Sequence, residues 1–391
     1  MSTVSVDGTA PCGRSPRREA LRTATRYANR FAAAVSALHR DTVSASGIPG
    51  VSGPQVTHVE LGRSPYIMVR LLPGQMPSDV EQLADRIACA LAVRRIRVTE
   101  RIPGTVRIDL NPPPEFANDP HAMPSPLDNG LFQVEFGQTP TGTILRESLV
   151  DTGHLASQGQ TGSGKTRWSY SVLSQLSGAR HVVIDGIDPT GKLLGPWENH
   201  AQTGLICGTS EYEAMEATSA DLVKLMRRRI ADIPRDQDSL PVGADHPLRL
   251  VYLEEWGNAL IMASIATGKA KGLDTPLGKN ISMLLAESRK AGMRLVLVSQ
   301  RFDSSLIGGG NRDNISHRFS FRTASKDGLK MLHDHITDDL AELHAAERAG
   351  IALIQTPTHP LQRIRAAHVP SYSDYLAAVD RSRGGAVDTA A

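Results

Sequence analysis

The chain has 391 residues, enough for one large core and at least one smaller domain, because single cores stop growing near about 250 to 300 residues. Its composition is that of a folded protein, and its net charge of only +2 means that any nucleic-acid binding has to come from local patches. The scattered cysteines Cys12, Cys89 and Cys207 support neither a disulfide framework nor a zinc site, and they favour a reducing cytoplasm.

The N-terminal region is rich in arginine. A helix is predicted from Ser15, with Pro16 in its first turn, within a basic segment over residues 1–45. Four arginines recur at every fourth position along one face of this helix: Arg18, Arg22, Arg26 and Arg30. This spacing of four arginines predicts contact with DNA phosphates or an anionic membrane surface. The alternative is a helix face that is only solvated. Because arginines interrupt the stretch where a signal peptide has its apolar core, none is predicted.

A small α+β domain with its linker is predicted over residues 46–122. A Ser/Gly/Pro-rich stretch over 44–54 leads into it, and a proline-rich segment over 111–126 follows it. Alternating apolar residues predict four strands and one amphipathic helix. The strands are expected over 56–61, 66–72, 94–98 and 105–110, and the helix over 79–91.

Beyond Leu127 the predicted elements change to strands alternating with long helices, which is typical of a parallel sheet with helical crossovers. The strands are expected over 181–185, 249–253, 294–300, 318–322 and 351–354, and the longest helix over 211–230. We therefore predict an α/β domain over residues 123–370, followed by a C-terminal tail over 371–391. No run of about 18 apolar residues occurs, so no transmembrane segment is predicted.

A complete phosphate-binding loop of the pattern G-x-x-x-x-G-K-[ST] interrupts this domain. It comprises Gly159, Gln160, Thr161, Gly162, Ser163, Gly164, Lys165 and Thr166. The glycines let backbone N–H groups close on phosphate oxygens, and the following helix offers its positive end. Lys165 is expected to reach the β and γ phosphates and Thr166 to hold Mg²⁺, which predicts ATP and Mg²⁺ as cofactors. A glycine-rich turn without a ligand is the alternative.

An apolar strand ends in two carboxylates at Glu254 and Glu255. We expect Glu254 to bind Mg²⁺ through a water molecule and Glu255 to polarise the attacking water. The 89 residues between Lys165 and Glu254 leave room for two crossover units, so both motifs can lie at one edge of the sheet. The alternative is that the two glutamates only begin an exposed helix.

A third strand ends at Gln300, whose neutral amide is expected to sense the γ-phosphate; capping of a turn is the alternative. Three arginines are candidates for an arginine finger supplied to a neighbouring subunit: Arg289, Arg301 and Arg318.

With these residues in place, the chain resembles the FtsK/SpoIIIE-type DNA translocases over about residues 50 to 360. In the larger domain the resemblance rests on His154-Leu155 with the phosphate-binding loop, Ser288-Arg289-Lys290-Ala291-Gly292 with residues 295–301, Asn314-Ile315-Ser316-His317-Arg318-Phe319-Ser320-Phe321, and Ser325-Lys326-Asp327. Residues 53–57 and 90–104 are similar to the small domain that precedes the family's motor.

The resemblance implies a RecA-like P-loop motor that forms a homo-hexamer around double-stranded DNA and moves it with ATP. The chain departs from the family pattern at Ser157-Gln158, at Phe302 in place of proline, and at Leu329 in place of a second arginine. It is also expected to lack the membrane spans and winged-helix domain of chromosome-segregating members. The short members it resembles act in transfer of plasmids or integrated mobile elements.

The resemblance therefore predicts a cytoplasmic DNA translocase of conjugative transfer, held peripherally at the membrane by a membrane or septal partner protein. The alternatives are a chromosome-segregation translocase and a protein-secretion ATPase of the same motor family, although the latter usually carries several motor copies in tandem. A regulator with a residual nucleotide site is the third alternative.

Overall fold

The computed structural model describes residues 3–6, 16–39, 54–61, 65–111, 116, 132–323 and 326–383, so the predicted linkers lie largely outside the described residues. The chain divides into two compact units, unit 1 over Met1–Pro114 and unit 2 over Glu115–Ala391.

Unit 1 is a five-stranded sheet with helices on one face. Its described elements are β1 (Thr3–Val6), α1 (Pro16–His39), β2 (Gln55–Leu61), β3 (Tyr66–Arg70), α2 (Pro77–Glu81), α3 (Ala84–Leu91), β4 (Ile96–Ile102) and β5 (Thr105–Leu110). The strand order is β1-β2-β3-β5-β4; β1 runs parallel to β2, and the other pairs are antiparallel. The four predicted strands are present, and β1 is an additional one.

Two expectations for unit 1 differ from the structure. The helix expected over 79–91 is broken between Glu81 and Ala84 into α2 and α3, and Val80 of α2 and Ile87 of α3 both lie in the core. The N-terminal helix was expected in a segment separate from the small domain. Instead, Ala24 and Phe31 of α1 are buried in the same core as Ile87, so α1 is an integral part of unit 1.

Unit 2 contains the larger sheet. Its described strands are β6 (Gln133–Gln138), β7 (Ile144–Ser148), β8 (His154–Gln158), β9 (Val182–Ile187), β10 (Thr203–Cys207), β11 (Leu248–Leu253), β12 (Met293–Ser299), β13 (Ile315–Phe321), β14 (Ile351–Gln355) and β15 (Gln362–Ala366). Its described α-helices are α4 (Lys165–Leu176), α5 (Tyr212–Ala231), α6 (Trp256–Thr267), α7 (Pro276–Glu287), α8 (Ser304–Ile307), α9 (Lys326–Lys330), α10 (Asp338–Ala345) and α11 (Tyr372–Arg383).

Six strands of this sheet are parallel, in the order β10-β9-β11-β12-β8-β13, and β14, β15, β6 and β7 extend it with antiparallel pairs. Strands β8 and β12 are buried along their full length, as expected for strands covered on both faces. Along β12, Val296 lies in the same hydrophobic core as Trp168 of α4, whereas Leu295 and Leu297 lie in a second core with Ile281 of α7. The sheet therefore lies between two helical layers. We call the edge where the parallel strands end the carboxyl edge, and the opposite one the amino edge.

The C-terminal segment from residue 371 was expected to be a tail, but most of its described part is helix α11, which packs against α4. Tyr375 is fully buried, donates to the carbonyl oxygen of Leu193 at 2.5 Å and accepts from Nε1 of Trp197 at 2.7 Å. These bonds make α11 part of unit 2. Residues 384–391 lie outside the described part of the chain. None of the helices that the structure describes is both long and apolar enough to cross a membrane.

Candidate nucleotide-binding site

The phosphate-binding loop joins β8 to α4 at the carboxyl edge, between the ends of β12 and β13. The N–H of Gly159 donates to the carbonyl of Gln300 at 3.2 Å, and the N–H of Gln160 donates to that of Arg322 at 3.0 Å. The N–H of Gly350, next to β14, donates to the carbonyl of Ser163 at 2.8 Å. Three segments beside the loop thus hold it in place through backbone hydrogen bonds.

Two glycines of the loop are required by its shape. Gly159 has φ of +151°, and a Cβ there would lie 2.7 Å from the Phe321 Cβ; Gly164 has φ of +112°, and its Cβ would lie 2.9 Å from the Gly350 nitrogen. Both the backbone conformation and the neighbouring atoms exclude a side chain. The glycines at these two positions are therefore required by the close packing of the loop, and not only by phosphate binding.

Lys165 and Ser163 carry the polar chemistry of the loop. Lys165 is 7% exposed, and its Nζ donates to the carbonyl oxygens of Gly159 at 2.5 Å and Gln160 at 3.4 Å. Burial lowers the pKa of Lys165, whereas the charges of Glu255 and Glu254 act in the opposite direction. The Ser163 hydroxyl is buried and has no partner among the described residues. An ammonium and an unsatisfied hydroxyl within a glycine-rich loop fit a nucleotide phosphate.

Glu254 follows β11 at the same carboxyl edge and is 6% exposed. Its Oε2 is buried without a partner among the described residues. Burial raises the pKa of Glu254 to about 8, and the neighbouring charges of Asp188 and Glu255 act in the same direction. A carboxyl group crowded by two others and lacking a donor fits a nearby cation, which would favour its ionised form.

A cation at this site would have to be held mainly by phosphate and water. No group of three or more His, Cys, Asp or Glu side chains in the described ranges could hold a metal ion by itself. Magnesium typically uses one or two protein ligands together with substrate phosphates and water. Thr166, exposed at the start of α4, and Glu254 are the residues that would hold it, Glu254 through a water molecule.

Glu255 caps the start of α6 in the left-handed region, with φ of 47° and ψ of 43°. A residue with a Cβ pays about 1 to 2 kcal/mol for this conformation. Its side chain is partly exposed, next to the buried Glu254. Such local strain is a feature of functional sites, and here it lies at the residue predicted to polarise water.

Gln300 and the three candidate arginines occupy different positions. Gln300 and Arg301 follow β12 at the carboxyl edge and are exposed. Arg289 is exposed at the amino edge, before β12, away from the loop. The Arg318 guanidinium donates to Oδ2 of Asp334 at 3.1 Å and is mostly buried, so it is held within the chain. Of the three, Arg301 is the one that combines exposure with a place beside the loop.

Sequence reasoning missed Asp188, which is fully buried just after β9. Its two oxygens accept four hydrogen bonds, from the backbone N–H groups of Thr190, Leu193 and Leu194 and from the Thr190 hydroxyl. An acidic residue directly after an apolar strand was the available signal, the same one that identified Glu254. Asp188 adds negative charge beside Glu254 and fixes the turn that follows β9.

The departure from the family pattern at Gln158 is also explained by the structure. Its Oε1 accepts from the N–H of Phe302 at 2.9 Å, and its Nε2 donates to the Ser320 hydroxyl and the Gly328 carbonyl, both at 2.8 Å. A buried amide with three good partners replaces the apolar side chain expected there. Gln158 thus connects the end of β8, next to the loop, with the segments that follow β12 and β13.

A separate cavity of about 330 Å³ lies toward the amino edge and includes Glu147, His317 and His359 in its lining. Glu147 shares a 2.6 Å hydrogen bond with Nε2 of His317 and accepts from the hydroxyls of Thr356 and Thr358 at 3.0 Å. Burial acts to raise the pKa of Glu147, but its bonds to His317 and to the two threonines outweigh burial and lower it to about 2. The hydrogen bonds of the Glu147 carboxylate link β7 to β13, and their role is structural.

Comparison with known proteins identifies relatives of both units. Residues 27–111 match the family model of the actinomycete conjugal transfer protein N-terminal domain. The DNA translocase FtsK of Corynebacterium efficiens is 24% identical over 335 residues, covering 78% of this chain and 34% of the relative. The same-named protein of Mycobacterium tuberculosis H37Rv is 24% identical over 345 residues, covering 81% and 39%. The chain thus spans about a third of the length of these relatives, and the resemblance to FtsK-type proteins is confirmed.

Solved structures confirm the fold. The pCW3 conjugation coupling protein TcpA, in its monomer form with ATPγS, superposes with a TM-score of 0.54 at 17% identity and covers 91% of this chain and 99% of that one. The cytoplasmic domain of the Thermomonospora curvata type VII secretion ATPase EccC gives 0.51 at 19% identity, over 67% and 32%. The predicted class, an α/β P-loop NTPase fold preceded by a small α+β domain, is confirmed.

Proposed function

Because this chain is a relative of the FtsK DNA translocases, we propose that it is an ATPase that moves double-stranded DNA during conjugative transfer of a plasmid or integrated mobile element. The observation that carries the proposal is the meeting of the phosphate-binding loop, Glu254 and Glu255 at one carboxyl edge. The conjugal-transfer match of residues 27–111 and the near-complete coverage of TcpA favour transfer over chromosome segregation.

Each residue of the site has a distinct proposed role. The loop N–H groups, Ser163 and Lys165 bind the phosphates, and Lys165 brings positive charge toward the β and γ positions. Thr166, and Glu254 through a water molecule, would hold Mg²⁺, which would neutralise charge on the phosphates. Glu255 accepts a proton from the attacking water and orients it, and Gln300 lies beside the γ-phosphate. In a homo-hexamer, Arg301 would contact the nucleotide of the neighbouring subunit.

The proposed setting is the cytoplasm, with a membrane or septal partner protein holding the motor where DNA crosses between cells. Duplex DNA is the proposed substrate. A protein-secretion ATPase is the second candidate, because EccC shares the fold. The family match of unit 1 to conjugal transfer proteins disfavours it.

The proposal predicts that duplex DNA stimulates ATP hydrolysis by the full chain. Phosphate contacts release counterions, so the DNA concentration for half-maximal stimulation should rise by orders of magnitude between about 50 and about 200 mM salt. A coupled phosphate-release assay over a DNA titration at several salt concentrations measures this.

A basal rate that duplex DNA leaves unchanged at low salt would contradict the proposal. Stimulation by an export substrate protein without any response to DNA would favour the secretion ATPase instead. A chain that binds no ATP would leave only the regulatory alternative.

A further inference from the structure

The two units carry opposite net charge. Residues 1–114 contain 15 arginines, no lysine and nine acidic residues, a formal charge of +6. Residues 115–391 contain 28 basic and 32 acidic residues, a formal charge of −4. The small net charge of the whole chain is thus the sum of a basic unit 1 and an acidic unit 2. An excess of this kind on one unit is typical of a surface that meets a polyanion.

Helix α1 presents part of this charge as an ordered row. Arg22, Arg26 and Arg30 are all exposed, and they are spaced by four residues, or about 6 Å per step along the axis. No ion pair to these three guanidinium groups occurs among the described residues, so no acidic side chain there neutralises them. Arg18 continues the row in a part of α1 whose side chains are not described. We call Arg22, Arg26 and Arg30 the arginine row.

The opposite side of α1 determines what the row can bind. Ala24 and Phe31 are at most 1% exposed, and Tyr27 and Ala28 pack against the same core of unit 1. A helix that binds a membrane surface inserts its apolar face between lipids. Here that face is already used to build unit 1. What remains is a set of guanidinium groups suited to a polyanion of regularly spaced phosphates.

We propose that the arginine row is a contact site for the phosphate backbone of double-stranded DNA, distinct from the nucleotide site of the motor. This inference rests on the proposed function, which identifies the polyanion as duplex DNA. It goes further by naming the residues, and the unit, that contact the DNA. Three guanidinium groups along one helix face contact phosphates without reading base sequence. Binding through the row is therefore independent of DNA sequence and strongly dependent on salt.

The test compares two triple variants of the full chain. Arg22→Gln/Arg26→Gln/Arg30→Gln removes the row while keeping good helix formers at exposed positions. Arg94→Gln/Arg95→Gln/Arg101→Gln removes three other exposed arginines of unit 1, so both variants lose the same charge. Affinity for a linear duplex is measured by fluorescence anisotropy across a salt series, and thermal unfolding confirms that each variant is folded.

Loss of three phosphate contacts should reduce the slope of log K against log salt by about three in the row variant. At low salt its affinity should fall at least about tenfold below that of the control triple. Basal ATPase without DNA should stay unchanged in both, because the row is not in the nucleotide site.

Equal slopes and affinities for the two triples would overturn the inference while leaving the proposed function intact. Unaltered DNA binding with loss of retention on phosphatidylglycerol vesicles would overturn it in favour of a membrane surface. If the wild-type chain neither binds duplex DNA nor hydrolyses ATP faster in its presence, the proposed function itself would be contradicted.

Discussion

Lys165→Ala is expected to abolish ATP binding at concentrations that saturate the wild-type chain. Lys165 Nζ is a buried cation within the loop, where each charge-assisted hydrogen bond to phosphate contributes about 1.5 to 3 kcal/mol. Losing its contacts to two phosphates should raise the Kd for ATP at least about 100-fold, since 1.4 kcal/mol is tenfold in Kd. Isothermal titration calorimetry with ATP and Mg²⁺ measures the change directly.

Lys290→Ala provides the matched control, because Lys290 is an exposed lysine at the amino edge of the same unit. Its backbone carbonyl, which accepts from Leu240, is unaffected by the substitution. Equal ATP affinity in wild type and Lys165→Ala would contradict the assignment of the loop. Thermal unfolding of both variants separates a loss of binding from a loss of fold.

Glu255→Gln is expected to keep ATP binding and slow hydrolysis by a factor of about 10² to 10⁴, the usual contribution of a general base. The amide has the same shape as the carboxylate, so the left-handed backbone and the start of α6 should be retained. What it loses is the capacity to take a proton from water. Steady-state kcat, together with the Kd for ATP, separates these two effects.

Glu287→Gln, which changes an exposed carboxylate at the end of α7, serves as the control. A kcat for Glu255→Gln within a few-fold of wild type would assign the water-polarising role elsewhere. An equal fall in kcat in Glu287→Gln would show that the effect is one of net charge.

The parts of the fold that the sequence predicts well are those determined locally. Strand β12 runs through the middle of the sheet and is an almost continuous apolar segment between polar boundaries. The phosphate-binding loop is a contiguous pattern whose glycines meet local steric needs, as at Gly159. Glu254 and Glu255 were identified because they directly follow an apolar strand. For these elements the residues that determine the structure are neighbours in sequence.

The parts that were missed depend on contacts between distant residues. Gln158 contacts Ser320, 162 positions away. Asp188 lies near Glu254 because β9, which precedes Asp188, pairs with β11, which precedes Glu254. Helix α11 becomes part of unit 2 through Tyr375, which meets Leu193 182 positions away. The short strands β7 and β15 carry too few apolar residues for a period of two to be visible. The ion pair between Arg318 and Asp334, 16 positions apart, is likewise a contact that no local pattern indicates.

The central claim is that ATP hydrolysis at this site moves double-stranded DNA. The most direct measurement is displacement of a labelled third strand from a triplex on linear duplex DNA, because a motor moving along the duplex strips the third strand. Wild-type chain with ATP and Mg²⁺ should displace the label, whereas Glu255→Gln with ATP, or wild type with ATPγS, should leave it bound. No displacement by a wild-type chain that is hydrolysing ATP on the same DNA would contradict the claim.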